Sequence, residues 1–449
     1  MGKSKITVFL IIIILVPLAW LGYTRFEGTA PTLDLAPAVE FIGKSTPLSL
    51  TMEDAKNGIR RVKITLKQKT KTADVFEKGF PMESWLSGGK IKRDTVNFDV
   101  EPHAIGISNG KATLTVTVWD YSLRGWFNGN KATISREVTV DTTPPVVSVV
   151  SNTRYLGQGG SGIVCFSAND QLSKAGVQVN DLFFPAVEID PSRNLYVTYF
   201  ALPYDKEDVK LEVRCADQAG NEAASGFYNS IKAKRFRHDE IQLSDDFLQL
   251  IASRARQQDP SMDSDPLAAF LKVNNEYRQK NNKEIHDICS KSNPERLWKG
   301  AFIAMTNASA RARFADERTY LYQGKDVGGS AHLGLDLASL ANAPVPAANS
   351  GIVVWADDLG IYGNTIIVDH GQGLFTLYAH LSSYKVKKGD MVEKGQEIGL
   401  TGYTGLAGGD HLHFGTYVWG QAVNPLEWLD PSWIGKKIEG PLKDAMKTN

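Results

Sequence analysis

Hydrophobic and polar residues alternate along most of the chain between residues 31 and 236. The segment RVKITLKQ places Val62, Ile64 and Leu66 on one face, and LTVTVWD repeats the pattern from Leu114 to Val118. Because successive side chains of a β-strand point to opposite sides, a period of two is typical of strands with one buried face. The pattern therefore predicts that this region is mainly β.

The same region contains an internal repeat. LTVTVWDYS resembles LEVRCADQAGN, which aligns Asp120 with Asp217 at an offset of 97 residues. LSLTMEDAKNGI resembles VCFSANDQLSKAGV, which aligns Asp54 with Asp170 at an offset of 116 residues. The offsets differ by 19 residues, so the first copy carries an insertion, which we assign to the segment FEKGFPMESWLSGGKIKRD.

The repeat and its linker predict two β-sandwich modules. DTTPP, from Asp141, separates the copies, and consecutive prolines prevent a helix there. Each copy has about the 100 residues that a seven-stranded sandwich needs. We therefore expect modules at 31–142 and 143–237. They resemble the immunoglobulin-like modules of bacterial envelope proteins, and this resemblance implies possible contacts with envelope protein partners.

A change of period marks a helical segment at 238–298. Phe247, Leu248, Ile251 and Ala255 recur at helical spacing, and Ser244 or Asp245 can cap the helix. A second helix is predicted from Asp265-Pro266 through Leu267, Phe270, Leu271 and Tyr277, and helical character should end near Asn293-Pro294. Two arrangements are open. The helices either pack on the neighbouring sandwich as a spacer, which we favour slightly, or cover a functional cleft in the following domain.

Short strands and glycine-rich turns return after Lys299 and continue to Pro431. This pattern predicts a C-terminal β-rich domain at 299–435, followed by a tail at 436–449. The fold expected for the whole chain is mainly β and multidomain.

The N-terminus contains an uncharged run from Ile6 to Thr24. It lies toward the short end of the roughly 17 to 25 residues that span a bilayer. We expect residues 1–30 to act as a single-pass membrane anchor with the rest of the chain outside the cytoplasm. A cleaved signal peptide is the alternative, but its best site, Gly28-Thr29-Ala30, is followed directly by Pro31.

Charge and cysteine content exclude some functions. Lys plus Arg and Asp plus Glu both number 50, so no net field favours nucleic acid. The three cysteines, Cys165, Cys215 and Cys289, have no CxxC spacing and predict no thiolate zinc site. Cys165 and Cys215 fall on candidate strands of one sandwich, but the repeat alignment places them on opposite faces. We therefore put a disulfide between them slightly below even odds.

Candidate chemistry concentrates in the C-terminal third, which holds five of the eight histidines. His332 and Asp336 are four residues apart, and the intervening Gly334 argues against a helix. His411 and His413 are two apart, so on a strand they share a face. Imidazole and carboxylate side chains are suitable zinc ligands, and two imidazoles with one carboxylate leave a fourth tetrahedral position for water.

A series of ordered motifs carries a family resemblance. HLGLD, PVPAANSGIVV, YGN, YAH, VKKGDMVEKGQEIG, TG, HLHF and VNP occur in this order between residues 299 and 430. In this order they resemble the zinc metallopeptidases of the lysostaphin and LytM type, family M23. The resemblance implies that His332, Asp336 and His413 bind Zn²⁺ and that His380 and His411 are the catalytic imidazoles. It leaves open which imidazole takes which role, and it implies that His370 is structural.

The sequence departs from the family pattern at two places. Gly415 follows HLHF where many members have Glu, and GLAGGDH replaces the commoner turn before the motif. Glu lies outside the zinc-binding set, so we expect these changes to affect the surroundings of the site or the edge of the cleft.

Three functions remain open at this stage. The leading one is a zinc endopeptidase that cuts peptide stems or cross-links of peptidoglycan. The second is a non-enzymatic LytM-type regulator of another wall hydrolase, a class whose members typically lack some of the five site residues that are present here. The third is an adhesive or scaffold built from the sandwiches.

Overall fold

The computed structural model describes residues 3–447, so residues 1, 2, 448 and 449, at the ends of the expected anchor and tail, lie outside the described residues. The described residues form two compact units. The first contains the residues up to Pro145 together with Ala216–Glu222, and the second contains Val146–Cys215 and the residues from Ala223 onward. The N-terminal helix is α1 (Lys3–Arg25). Among the described residues, no helix combines the length and the apolar character that a bilayer span requires.

The first module consists of two main sheets around one core. Its strands are β1 (Thr32–Ala36), β2 (Phe41–Ile42), β3 (Thr46–Glu53), β4 (Ile59–Gln68), β5 (Lys71–Gly79), β6 (Met82–Ser84), β7 (Gly88–Gly89), β8 (Arg93–Val100), β9 (Gly110–Asp120) and β10 (Lys131–Val140), with a helical turn α2 (Arg124–Phe127). The sheets have the orders β1-β3-β8 and β2-β10-β9-β4-β5, and β6 pairs with β7. The predicted strand faces pair directly, since Val62 lies opposite Val118 and Leu66 opposite Leu114. All four side chains are buried, so the period of two is confirmed.

The second module likewise has two main sheets, each of four strands. Its strands are β11 (Val147–Asn152), β12 (Tyr155–Gly157), β13 (Ser161–Ala168), β14 (Leu172–Val179), β15 (Leu182–Pro185), β16 (Val187–Asp190), β17 (Leu195–Ala201), β18 (Leu211–Asp217), β19 (Glu222–Gly226) and β20 (Ser230–Lys232), with a 3₁₀ turn at Pro191–Arg193. The sheet orders are β11-β13-β17-β16 and β15-β14-β18-β19, and β12 pairs with β20. Cys165 lies on β13 and Cys215 on β18, in different sheets, and no disulfide joins them.

Both faces of β13 and β17 are buried. The alternating pattern of this region had predicted strands with only one buried face. The second face of β13 and β17 packs on the C-terminal domain. The Tyr199 ring lies 6.0 Å from the Trp428 ring, and the Trp428 indole donates to the Ser161 hydroxyl at 3.0 Å. The second module and the C-terminal domain therefore share one hydrophobic core.

The helical segment begins with a strand, β21 (His238–Gln242), that joins a sheet of the C-terminal domain. Three helices follow: α3 (Asp245–Gln258), α4 (Pro266–Lys272) and α5 (Arg278–Ile288), with a π-helical turn at Val273–Tyr277. Ser244 caps α3 and Asp265 caps α4, as predicted. The helices end at Ile288, earlier than expected, because the Asp369 carboxylate accepts hydrogen bonds from Ser292 and Asn293 and holds them outside the helix.

The favoured placement of these helices was wrong. Their apolar side chains, including Leu248, Ile251 and Phe270, share a core with Ile367 and Phe375 of the C-terminal domain. The predicted stripe is buried, but against that domain and not against the second sandwich. The apolar stripe could not show which domain covers it, because any apolar surface can bury such a stripe.

The C-terminal domain is built on an eight-stranded sheet. Its strands are β22 (Ser309–Ala312), β23 (Glu317–Tyr322), β24 (Lys325–Ala331), β25 (Leu335–Ala338), β26 (Pro344–Pro346), β27 (Gly351–Asp358), β28 (Asn364–Asp369), β29 (Leu374–Ala379), β30 (Ser383–Tyr384), β31 (Met391–Val392), β32 (Glu397–Leu400), β33 (Leu412–Val418) and β34 (Gln421–Val423). The large sheet has the order β22-β25-β33-β29-β28-β27-β31, with β34 on β33. Two three-stranded sheets, β21-β23-β24 and β26-β32-β30, complete it, together with a 3₁₀ turn at Gly360–Tyr362.

The expected tail is helical over its described residues. After α6 (Pro425–Leu429) and α7 (Pro431–Ile434), a π-helical turn at Gly435–Glu439 leads into α8 (Gly440–Lys447). The carbonyls of Lys437 and Pro441 accept hydrogen bonds from Thr153 and Ser151 of the second module, both at 2.6 Å. The described residues after α7 therefore pack on the second module.

Candidate metal centre and active site

The strands β25 and β33 bring three of the predicted site residues together. Asp336 on β25 lies directly opposite His413 on β33, and His332 lies just after β24. The Asp336 Oδ1 atom is 2.8 Å from His332 Nε2 and 3.0 Å from His413 Nδ1. One ligand atom from each side chain lies within 4.8 Å of the others. Asp336 and His413 lie side by side because adjacent antiparallel strands bring opposed residues together, and the segment after β24 brings His332 to them.

Backbone contacts fix how His332 presents its ring. Its Nδ1 lies 3.0 Å from the Arg313 carbonyl oxygen. A carbonyl only accepts hydrogen bonds, so Nδ1 carries a hydrogen and Nε2 faces Asp336 Oδ1. Such a bond to the far nitrogen is the usual support for a histidine that binds metal.

Gly334 allows the His413 ring to approach. A Cβ atom at this position would lie 2.7 Å from both Cε1 and Nε2 of His413 and 2.7 Å from the Phe414 carbonyl. Glycine is therefore required by a close approach of the ring to the backbone. The sequence analysis used Gly334 only to argue against a helix.

The two predicted catalytic histidines lie beside this group. The His380 and His411 ring centroids are 4.9 Å apart. His380 Nδ1 donates to the Thr404 carbonyl at 2.9 Å, and His411 Nδ1 donates to the Gly409 carbonyl at 2.8 Å. With Nδ1 donating, His380 leaves Nε2 without a hydrogen, whereas His411 Nε2 lies 3.5 Å from Asp336 Oδ1 and carries the hydrogen when it bonds to that carboxylate.

The backbone of His380 is strained. Its φ is 63°, in the left-handed region that non-glycine residues rarely adopt. The His380 amide donates to the Tyr362 carbonyl at 2.9 Å, which helps to hold this conformation. Strain of this kind often accompanies functional sites.

The two catalytic candidates differ in their proton affinity. Burial and the neighbouring His411 and His413 lower the pKa of His380 to about 3. Burial also acts to lower the pKa of His411, but the hydrogen bond and the charge of Asp336 outweigh it, so that its pKa is raised. Burial opposes the charge of Asp336, yet bonds from His332, His411 and His413 hold the pKa of this carboxyl well below its usual range. Near neutral pH, His411 is the more readily protonated of the two imidazoles.

The donor set fits a zinc ion. Two imidazoles and one carboxylate converge, with His413 Nδ1 facing Asp336 and His332, while His413 Nε2 is buried with no hydrogen-bond partner. Two nitrogens and one oxygen with a remaining open direction are the usual ligands of catalytic zinc. The arrangement also keeps a carboxylate among imidazoles, which balances the charge of a divalent cation.

Several residues at the site were not found from the sequence. Arg318 Nη2 lies 3.4 Å from the second Asp336 oxygen. The carbonyls of Arg313, Thr404 and Gly409 orient the histidines. A backbone carbonyl occurs in every residue and carries no sequence signal, so only the fold reveals which ones contact the rings.

The cleft over the site is partly lined by the helical segment. Phe247, Phe270, Arg278 and Asn282 line a cavity of about 230 Å³ together with the five site residues. Asn282 Oδ1 accepts a hydrogen bond from the Tyr362 hydroxyl at 3.0 Å. Arg254 Nη1 donates to the carbonyls of Gly405 and Ala407 at 2.9 and 3.0 Å, beside the loop that orients His380.

His370 and Gly415 lie outside the reacting group. His370 Nδ1 donates to the Ser350 carbonyl and its Nε2 accepts from the Thr376 hydroxyl, both at 2.7 Å. Gly415 pairs with Leu377, and a Cβ there would meet the Tyr417 ring at 2.7 Å. The Tyr417 ring therefore occupies the space that a glutamate side chain at position 415 would need.

Comparison with known proteins identifies this domain. Residues 330–425 match the family described as Peptidase family M23. The C-terminal domain belongs to peptidase family M23. The match includes the HLGLD, YAH and HLHF motifs and all five site residues, and it covers about a fifth of the chain.

Curated relatives resemble the M23 domain only. DD-carboxypeptidase/endopeptidase Mpg from Neisseria meningitidis serogroup B is 40% identical over 101 residues, which cover 22% of this chain and 23% of that protein. Peptidoglycan DD-endopeptidase ShyA from Vibrio cholerae is 41% identical over 96 residues, or 21% and 22%. Murein hydrolase activator EnvC from Escherichia coli is 38% identical over 96 residues, or 21% and 23%.

The chain thus spans less than a quarter of the length of these curated relatives. Among solved structures, the catalytic domain of lysostaphin from Staphylococcus simulans is 32% identical, and the match covers 27% of this chain and 92% of that chain with a TM-score of 0.24. The M23 domain has relatives that are named as endopeptidases and one that is named as an activator.

Proposed function

We propose that this protein is a zinc-dependent endopeptidase that hydrolyses peptide stems or cross-links of peptidoglycan. The observation that carries the proposal is the convergence of His332, Asp336 and His413 next to the paired rings of His380 and His411. Five side chains from separate strands and loops are held by specific bonds in one cleft. A purely structural domain has no need of such an arrangement.

In this proposal the three residues His332, Asp336 and His413 hold the zinc ion. Zinc supplies a water of lowered pKa and polarises the scissile carbonyl. The remaining imidazoles then move protons at defined atoms. His380 Nε2 accepts a proton from the attacking water, because its Nδ1 is already bonded to Thr404.

His411 is the proton donor in this assignment. Its Nε2 lies 3.5 Å from Asp336 Oδ1, beside the proposed metal ligands, and would give a proton to the oxyanion or the leaving amine. The sequence left the two roles open, and the different surroundings of the rings support this assignment.

The substrate class rests on the relatives. ShyA is named as a peptidoglycan endopeptidase and EnvC as a murein hydrolase activator. Because only the M23 domain is shared, peptidoglycan is part of the proposal for this chain. The exposed surface of the cleft would receive the peptide, with the helical segment forming one wall.

A regulator is the second candidate function, since EnvC is 38% identical in this region. It would bind another wall hydrolase and need no zinc. The complete set of five site residues in this chain favours the enzyme over the regulator.

The test combines zinc content with release of soluble fragments from purified cell walls. His332→Ala, Asp336→Ala and His413→Ala should lose zinc and activity together. His380→Ala and His411→Ala should keep zinc while fragment release falls by about a hundredfold or more. The exposed His238, replaced by Ala, is the matched control and should retain both properties.

Other results would change the proposal. A wild-type protein that holds no zinc and releases no fragments, but accelerates a second hydrolase, would establish the regulator. Zinc loss in His411→Ala with retention in His413→Ala would reverse the two assignments.

The membrane anchor and the immunoglobulin-like identity of the two modules are further proposals that rest on sequence. The uncharged run from Ile6 to Thr24 would hold the chain at the cell membrane, with the M23 domain facing the wall. Protein that washes off isolated membranes in alkaline carbonate would contradict the anchor.

A further inference from the structure

Two loops of the first module expose large apolar side chains. Trp85 and Leu86 form the tip of the β6–β7 hairpin and are 56% and 57% exposed. Trp126 and Phe127, in the turn after β9, are 93% and 60% exposed. We call these the apolar loops, residues 84–87 and 124–127. Exposed apolar side chains that cluster often mark an interaction surface.

Local bonds hold both loops in these conformations. The Ser84 and Ser87 hydroxyls are 2.7 Å apart, and the Ser87 amide donates to the Ser84 hydroxyl at 3.0 Å. In the other loop, Trp126 and Phe127 have φ values of 55° and 65°. Two successive large residues in the left-handed region cost free energy, and the Arg60 guanidinium stabilises the turn by donating to the Phe127 carbonyl at 2.8 Å.

Both loops are additions relative to the second copy of the repeat. In the first copy, Asn130 binds Asp120 through its amide (2.7 Å) and its side chain (2.8 Å). In the second, Asn221 binds Asp217 in the same way, at 2.9 and 2.8 Å. The equivalent turns enclose nine and three residues respectively, and the longer one contains Trp126 and Phe127. Trp85 and Leu86 lie in the other insertion, FEKGFPMESWLSGGKIKRD.

The two insertions flank the end of helix α1. The Leu123 amide donates to the Arg25 carbonyl at 2.7 Å, just before the second loop. The buried Arg25 guanidinium bonds to the Asn57 side chain, and a Cβ on Gly88 of the hairpin would collide with it. Two loops that are about forty residues apart in sequence are thus fixed beside the last residue of one apolar helix.

We propose that the apolar loops bind the surface of a lipid bilayer. Tryptophan and phenylalanine side chains are favourable at the boundary between headgroups and acyl chains. Near the same end, α1 exposes Trp20 and Tyr23, and Phe26 directly after it is exposed too. Three exposed basic residues suit anionic headgroups: Arg124 in the second loop, Lys90 directly after β7, and Lys56 in the turn between β3 and β4. A lipid surface fits this pattern better than a protein groove, because the apolar side chains lie around a helix end and are bordered by cations.

Fluorescence of the full-length protein on vesicles tests the proposal. The vesicles contain phosphatidylcholine and phosphatidylglycerol, with bromine atoms on the acyl chains near the headgroups in one preparation. Subtracting the emission of Trp126→Ala from that of the wild type isolates Trp126. We expect this component to shift to the blue and to lose most of its intensity on brominated vesicles.

Two controls keep the result specific to the loops. Trp419→Phe, at a partly buried position in the second unit, should give a difference spectrum that vesicles do not change. Replacing Trp85, Leu86, Trp126 and Phe127 together by Ser should lower the vesicle-bound fraction on phosphatidylglycerol vesicles more than Leu340→Ser, which removes an apolar side chain that is 81% exposed.

An unquenched Trp126 that iodide reaches equally with and without vesicles would overturn the proposal. So would quenching that requires a second protein, or a blue shift that follows protein concentration in the absence of lipid. None of these outcomes bears on digestion of purified walls, so this proposal can fail without affecting the proposed peptidase function.

Discussion

Gly334 shows how closely single residues determine the metal centre. A Cβ there would press on the His413 ring and on the Phe414 carbonyl, both at 2.7 Å, and neither can move without disturbing β33. Gly334→Ala should therefore displace His413 and lower the zinc content and the rate of wall digestion together. Gly226→Ala, where no atom lies within 4 Å of the added methyl group, is the control. Full zinc occupancy in Gly334→Ala would contradict this account.

His370 gives a prediction about pH. Complete burial lowers the pKa of His370 to about 4. The unfolded chain, with a pKa of about 6.5, binds a proton first as the pH falls. Neutral His370 therefore stabilises the fold above about pH 6.5, and this stability is lost between about pH 6.5 and 4.

At about pH 5 the loss amounts to about 2 kcal/mol relative to neutral pH. His370→Gln keeps a donor and an acceptor for Ser350 and Thr376 but does not titrate in this range. Its free energy of unfolding, measured with denaturant at both pH values, should fall by about 2 kcal/mol less than that of the wild type. An equal fall in both proteins would show that His370 is not the group responsible.

At the scale of secondary structure, the sequence predicted the features that depend on nearby residues, namely the buried faces of strands and the cap of a helix. The alternating positions Val62, Ile64 and Leu66 are buried, and Ser244 caps the helix that it precedes. The burial of β13 on both faces was not predictable, because its second face packs on residues such as Trp428, far along the chain. The motifs around His332 and His413 identified side chains that converge in the fold and that we propose bind zinc. The carbonyls that orient the rings could not be identified from the sequence, because every residue has one.

The helices α3 to α5 form one wall of the cleft and should restrain the proposed peptidase activity. Beside the cleft, Arg254 donates to the carbonyls of Gly405 and Ala407, and the Tyr362 hydroxyl donates to Asn282. Each bond contributes about 1 kcal/mol, or about fivefold in an opening equilibrium. Arg254→Ala combined with Asn282→Ala should therefore digest walls several times faster, as measured by fragment release from zinc-loaded protein.

Arg256→Ala is the matched control, since Arg256 bonds only to the Ser264 carbonyl within the same segment. Unchanged or slower digestion in the double variant would mean that the helices only support the domain. Point substitutions are preferable to a chain that begins at Lys299, because removal of the helices would expose Ile367 and Phe375.

At the scale of the whole molecule, the second module and the M23 domain should unfold together. Trp428 is fully buried between Tyr199 of the module and Phe302 of the domain, at ring distances of 6.0 and 5.7 Å. Trp428→Ala should cost about 3–5 kcal/mol. Hydrogen exchange in denaturant should then rise to the same extent in Leu195–Ala201 and in Leu412–Val418. Protection that persists in Leu412–Val418 while Leu195–Ala201 exchanges would contradict a shared core.

This shared core limits how the M23 domain could be transferred to another protein by recombination. Sequence similarity marks residues 330–425 as a unit that could be transplanted, but its boundary passes just before Trp428, through tightly packed side chains. A graft made at that boundary would leave Tyr199, Trp298 and Phe302 facing water. Recombination that preserves folding must carry the preceding sandwich along with the peptidase. In this protein the segment that must be transferred together to keep its fold is therefore larger than the segment that sequence similarity marks.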